Sequence, residues 1–322
     1  MSKKMKNTKL SKTEKPTKLT PSWVRTVKNN YVFWLLCLPA VIVFVLFNYI
    51  PMFGSILAFK SYNYTAGILG SDWVGFDNFK FFFASQDAWR LTRNTLGYAS
   101  VFIVVNLVSA VLFALLMFEI KSKTCIKTYQ TIMILPYFLS WVIVGYIVNI
   151  LLNTDHGVVN QFLDKFFGTT VKWYMEPKWW PFILTIANIW KSIGMNCIMY
   201  YAALMGIDNS IYEAATIDGA GKIRQAISIS IPSLAPMMTI LTIMAVGNIF
   251  RSDFGLFYQV PMDVGALYPT TDVIDTYLYR GLRTGDVGIT AAVGLFQSVV
   301  GLVTVMLTNY IVKKIEPDNA MF

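Results

Sequence analysis

The sequence predicts an all-α membrane protein of about six transmembrane helices with both termini in the cytosol. Three observations lead there. Of the 322 residues 55% are hydrophobic and only 14% charged, with a mean hydropathy of +0.52, more apolar surface than a soluble core of this length can hide. The hydrophobicity gathers into six runs, each near the ~20 residues that a spanning helix needs. Lysine and arginine are also unevenly shared between alternate connecting segments.

Residues 1–30 carry nine basic side chains against Glu14 alone, are rich in Lys and Thr, and show no apolar period. They are read as a disordered, cytosolic tail, followed by a membrane domain over 31–322. The net charge of +9 is concentrated there, which points to membrane orientation rather than to nucleic acid. The next apolar run is too long for a signal-peptide core and lacks a small-residue cleavage site, so it is expected to stay as a span. The predicted spans are 31–59, 95–118, 129–152, 179–207, 234–250 and 287–312. Pro39, Pro51 and Pro136 are expected to kink them rather than break them.

The segments 1–30, 119–128, 207–233 and 313–322 hold sixteen basic and seven acidic residues, whereas 60–94, 153–178 and 251–286 hold ten basic and eleven acidic. The first set is therefore cytosolic. Trp73, Trp89, Trp173, Trp179 and Trp180 fall at the external ends of spans, as an interfacial aromatic belt would.

Between the fourth and fifth spans lies a cytosolic loop, 208–233. Asp208 or Ser210 can cap a short helix whose first turn carries Glu213, and Gly219 and Gly221 end or bend it. A second helical stretch with Ile223, Ile227 and Ile231 leads to Pro232. Such a helix-turn-helix is too small to be a domain and is suited to docking in a groove of another protein. Gly219-Ala220-Gly221-Lys222 is not a phosphate loop: the first glycine of that motif is missing, and Ile223 stands where a Ser or Thr would bind magnesium. The chain is not expected to bind ATP.

Other polar residues have two readings each. Lys191 lies within a span, where a charge costs at least about 2.5–3.5 kcal/mol and should face protein or a water-filled cavity. Asn188, Trp190, Lys191, Asn196 and Tyr200 either line a path for a polar solute or hold the bundle together through interhelical pairs. Asn248, Arg251 and Asp253, after the fifth span, either close such a path on its external side, or Arg251 and Asp253 simply pair. His156 is the only histidine and reads as a turn residue. Cys37, Cys125 and Cys197 are too scattered for a disulfide framework or metal cluster. The external acids Asp253, Asp263, Asp272, Asp275 and Asp286 have no catalytic spacing and read as a solvated loop, which weakens the alternative of a membrane-embedded transferase. No carboxylate lies centrally in a span, which weakens an ion-coupled carrier.

The loop resembles the EAA motif of type I binding-protein-dependent ABC importers: Glu-Ala-Ala, three residues, Gly, nine residues, Ile, one residue, Leu-Pro. Here Glu213, Ala214, Ala215, Gly219, Ile229 and Pro232 stand at those spacings, with Ile231 in place of Leu. Leu38-Pro39, Tyr49-Ile50-Pro51, the segment from Trp73 to Phe79, Asn94-Thr95-Leu96 and Ile134-Leu135-Pro136-Tyr137 resemble the sugar-specific permeases, the Gram-positive complex-oligosaccharide branch in particular. The chain is similar to the larger permease of the maltose system without its extracytoplasmic insertion.

The resemblance implies the type I permease fold in the cell membrane and import of a carbohydrate, with glycerol phosphate as an alternative solute. It also implies a coupling helix in which Glu213, Ala214, Ala215, Asp218, Gly219, Ala220, Ile229 and Pro232 engage an ATPase, and no catalytic or metal site. The implied partners are a second, different permease, an ATPase dimer holding ATP and magnesium, and an extracytoplasmic solute-binding protein, a lipoprotein in a Gram-positive cell. The region of Asn248, Arg251 and Asp253 is where maltose-type permeases contact substrate.

Overall fold

The computed structural model describes residues 29–315. All but the last two positions of the basic tail lie outside the described residues. Five helices are long and apolar enough to span a membrane: Tyr31–Phe59, Gln86–Phe118, Pro177–Leu204, Lys222–Gly247 and Val287–Lys314. A sixth span consists of two helices, Lys123–Phe138 and Trp141–Leu152, that meet at 97°. The second, third and fifth spans begin well before their hydropathy suggests, at Gln86, Lys123 and Lys222, because helical hydrogen bonding continues past the lipid boundary that hydropathy marks.

The described residues form two compact units divided after Gly54. The first holds an α-helix, Tyr31–Phe44, with Pro39 inside it, followed by a π turn at Val45–Tyr49. The edge of Tyr49 meets the ring of Phe44 at 5.6 Å.

In the second unit a two-stranded hairpin pairs β1 (Lys60–Ser61) with β2 (Asp72–Trp73). The buried Lys60 ammonium donates to the carbonyls of Ile68 and Leu69 at 2.9 and 3.0 Å and lies 5.1 Å from the Trp73 ring. The segment from Trp73 to Phe79 closes this corner. Gly75 takes the left-handed φ of +60° that its turn requires, Asn78 donates to the carbonyls of Ala58 and Lys60, and Phe76 and Phe79 pack on Phe59.

The second and fourth spans form the centre of the bundle. Ala110, Val111, Ala114 and Met117 pack on Cys197, Tyr200, Leu204 and Leu234 of the fourth and fifth spans. Small residues at Ala110 and Ala114, both fully buried, let the backbones approach where lipid supplies no hydrophobic drive between helices.

The third span is broken rather than kinked. Leu135–Phe138 tightens into a 3-10 turn, and Ser140 then caps a new helix by accepting from the Ile143 N–H. Pro136 cannot donate, and no helical bond crosses Leu139 and Ser140, so the chain turns sharply. Gly194 of the fourth span lies against this region so closely that a Cβ there would strike the Met133 backbone, whereas one at Gly97 would meet nothing. Gly194→Ala is expected to cost about 1–3 kcal/mol and Gly97→Ala far less, measured as melting shifts of detergent-solubilised protein.

Toward the external ends of the spans, Tyr98, Val144, Trp180, Leu184, Leu256, Phe257 and Leu267 form a second core. Trp180 is 0% exposed, its indole donating to the Trp173 carbonyl at 2.8 Å. It is a core residue, while Trp73 and Trp89 remain exposed as belt residues would. The external acids are not all solvated: Asp272 is buried between Arg90 and Arg280. Asp275 accepts from the Ser252 N–H and from Gln297. Burial pushes the Asp275 carboxyl above its usual range, against the opposing pull of those hydrogen bonds and of Arg251.

Candidate functional site

The cytosolic loop forms a rigid turn. Asp208, not Ser210, caps the helix Asn209–Ile217 by accepting from the Ser210 N–H at 2.9 Å. That hydrogen bond holds its carboxyl below the usual range. The Gly219 N–H reaches the Thr216 carbonyl and the Ala220 N–H the Ala215 carbonyl, the paired bonds of a Schellman stop. Gly219 sits at φ +80°, where a side chain would be strained although nothing obstructs it. Glu213 lies in the second turn of its helix, not the first, where no acid occurs.

The second helical stretch is not a separate element. Lys222–Gln225, a π turn at Ala226–Ser230 and Ile231–Gly247 run on as the fifth span. The widened turn falls just before Pro232, whose missing N–H and ring disturb the ladder there. Tyr212 fastens the short helix to this span through Ser230 at 2.9 Å. Gln225 does the same by donating to Thr216 and to the Ala220 carbonyl.

With these contacts made, the loop presents an unusual surface. Ile217 is 86% and Ile223 78% exposed, and Ile227, one helical turn after Ile223, is exposed as well. Glu213, one helical turn before Ile217, is exposed and makes no ion pair or hydrogen bond with any described residue. Asp218 is exposed, while Ala215, Ala220 and Ile229 are half-buried. Single exposed hydrophobes are common, but three large ones on one short cytosolic segment suit a protein interface.

Within the membrane a cavity of about 330 Å³ opens between the second, fourth and fifth spans, its polar lining made by Asn106, Asn196, Tyr200, Thr242, Asn248 and Arg251. It runs from Tyr200, about one turn from the cytosolic end of the fourth span, past Asn106, near the middle of the second, to Arg251, just past the external end of the fifth. Asn188 stands behind the wall and accepts from Asn106 at 2.9 Å, and Ser192 donates to the same amide. Asn106 and Thr242 are lining residues that the sequence reading missed. The available signal was an asparagine inside an otherwise apolar run.

Three of the expected path residues are placed elsewhere. Trp190 lines a separate apolar pocket with Ile147, Ile183 and Ile186. Asp253 caps Phe254–Gln259 by accepting from Gly255 and Leu256 and takes the Trp141 indole N–H at 2.6 Å; it does not pair with Arg251. The Lys191 ammonium donates to the carbonyls of Tyr137 (2.9 Å), Pro136 and Leu139 at the break of the third span, and lies over the rings of Tyr137 and Trp141.

A cation at the carbonyl end of a half-helix is electrostatically favoured. Lys191 therefore holds the break. Lys191→Met is expected to cost about 2 kcal/mol, because it leaves the Tyr137 and Leu139 carbonyls without their charged donor. Lys191→Arg should restore part of this loss in the same melting measurement.

Six spans, a polar cavity among them and an exposed docking turn on the cytosolic face define a membrane transport subunit rather than an enzyme. No family model matches the chain. Protein LplB of Bacillus subtilis (strain 168) is 34% identical over 299 residues, 92% of this chain and 93% of that one. The polygalacturonan/rhamnogalacturonan transport system permease protein YteP of the same organism is 33% identical, over 90% of each. Among solved structures, a bacterial ABC transporter involved in the import of the acidic polysaccharide alginate has a chain that superposes with a TM-score of 0.84 at 33% identity, covering 92% of this chain and all of that one. The chain belongs to the sugar-type permease subunits of binding-protein-dependent ABC importers, multi-pass proteins of the cell membrane that are driven by a separate ATPase.

Proposed function

We propose that this chain forms one half of the translocation path of an ATP-driven importer of oligosaccharides. A second, different permease supplies the other half, and an extracytoplasmic solute-binding protein, a lipoprotein, delivers the sugar. A dimeric ATPase binds ATP and magnesium. The segment 208–233 is the coupling element: Glu213 and the exposed isoleucines seat in a groove of the ATPase, while Gly219 and the Tyr212 and Gln225 contacts make the turn stiff enough to transmit a push. Closure of the ATPase dimer draws the two coupling turns together, and rocking of the permeases exposes the cavity alternately to the two sides. Asn106, Asn196, Tyr200 and Asn248 offer the amide and hydroxyl groups that sugar hydroxyls need, with Asn188 holding Asn106 in place.

One observation carries this reading. The spans that line the polar cavity continue, through the fifth, directly into the exposed cytosolic turn. Polygalacturonan and alginate, the cargoes of similar proteins, are chains of sugar acids, which favours a carbohydrate polymer over a small solute. The test is reconstitution in proteoliposomes with the second permease, the ATPase and the binding protein. Hydrolysis should rise several-fold with sugar-loaded binding protein, and sugar should accumulate inside. Hydrolysis indifferent to the binding protein would overturn the reading.

A further inference from the structure

Arg251 is the only charged side chain among the described residues lining the cavity. Its backbone is fixed by a tight turn in which its N–H donates to the Asn248 carbonyl at 2.8 Å. Its guanidinium makes no hydrogen bond or ion pair with any described residue. The other arginines of the external side are all engaged. Arg90 pairs with Asp87 and Asp272, Arg280 with Asp263 and Asp272, Arg93 with the Pro269 carbonyl and Arg283 with the Tyr258 hydroxyl.

Nor is there an acid waiting for Arg251. The Asp253 carboxylate is occupied by Trp141 and by the helix it caps. Asp275, which feels the guanidinium at longer range, is held by Ser252 and Gln297. The alternative in which Arg251 and Asp253 simply neutralise each other is therefore not realised. What remains is a five-donor planar cation at the external mouth of a cavity otherwise lined by neutral amides, hydroxyls and apolar groups. Arg251 is exposed to solvent there, and a guanidinium fork fits a carboxylate with two parallel hydrogen bonds. The cavity's size is that of a small-ligand site.

We propose that Arg251 recognises a carboxylate of the transported sugar, so that the path favours oligosaccharides bearing uronic acids over neutral ones. This rests on the transport reading above and adds to it the charge of the solute. The fork also fits a phosphate, so the phosphate source is separated in the test.

The experiment uses the complete importer in proteoliposomes, with assembly checked by size-exclusion chromatography. The probes are trigalacturonate, its methyl ester and sn-glycerol 3-phosphate. The wild type should import the acid at least tenfold faster than the ester, in which a methyl group removes the charge of each carboxylate. Arg251→Gln should reduce that preference at least tenfold, and Arg251→Lys should retain part of it, since an ammonium keeps the charge but not the fork. An unchanged preference in Arg251→Gln, equal losses for acid and ester, or a wild type that prefers the ester would each overturn the assignment. Import of glycerol phosphate with exclusion of trigalacturonate, abolished in Arg251→Gln, would replace carboxylate by phosphate as the recognised group. A wild type whose ATPase responds to loaded binding protein but which does not discriminate by charge defeats this inference alone. An ATPase that never responds defeats the transport reading, and the inference with it.

Discussion

Asp272→Ala is expected to destabilise the external layer by about 3 kcal/mol, the lower end of the cost of breaking a buried ion pair. The Asp272 side chain is 1% exposed and lies 2.9 Å from Arg90, with Arg280 on its other oxygen. Thr276 donates to it at 2.8 Å. The Asp272 backbone carbonyl accepts from Asn94 of the second span. This one carboxylate therefore joins the start of the second span to the loop that follows the fifth, and holds in register the layer just outside Arg251. Its removal leaves two guanidinium groups short of a partner. Each keeps one other acid, Arg90 with Asp87 at 3.0 Å and Arg280 with Asp263 at 3.0 Å, which places the expected loss at the low end. Asp272→Asn, which keeps an acceptor for Thr276, should fall between wild type and Asp272→Ala. A melting temperature unmoved by Asp272→Ala would show that the network contributes no net stability.

The other large effect is expected in transport rather than in folding. Glu213→Lys and Ile217→Asp alter side chains that are exposed and have no partner among the described residues, so each should change stability by no more than about 0.5 kcal/mol. If they seat in the ATPase, they belong to the small set of interface residues whose loss costs about 2 kcal/mol or more, a loss of more than tenfold in coupled activity. Sugar uptake and the ATPase response to loaded binding protein should therefore both fall at least tenfold while the protein still accumulates in the membrane. Wild-type uptake in both variants would remove this face from the coupling interface. Loss of the protein itself would instead show that the two side chains serve folding.

The spans and their orientation were legible because lipid imposes a one-dimensional rule. About 20 apolar residues cross it, and basic residues stay on one side. The docking turn was legible for a similar reason: a capping acid, a glycine that must take a positive φ and a proline near the membrane are local requirements written in neighbouring residues. Its details were less so. The second helix of the turn proved continuous with the fifth span, and Glu213 lay one turn further in, because helix ends depend on tertiary contacts such as Tyr212 with Ser230.

A six-span membrane protein of the importer-permease kind, with a helix-turn loop on its cytosolic face, could be read from the sequence alone. Only the tertiary structure decided which polar residues meet. Lys191 and Asn196 are five positions apart on one helix, yet the first holds the broken third span and the second lines the cavity. Arg251 and Asp253 are two apart, yet Asp253 is claimed by Trp141 and Arg251 is left open to the cavity. Spacing fixes which face of its own helix a residue occupies. What stands opposite that face is set by packing between distant segments, so a charge's partner, and with it the difference between a structural lysine and a free arginine, becomes visible only when the bundle is assembled.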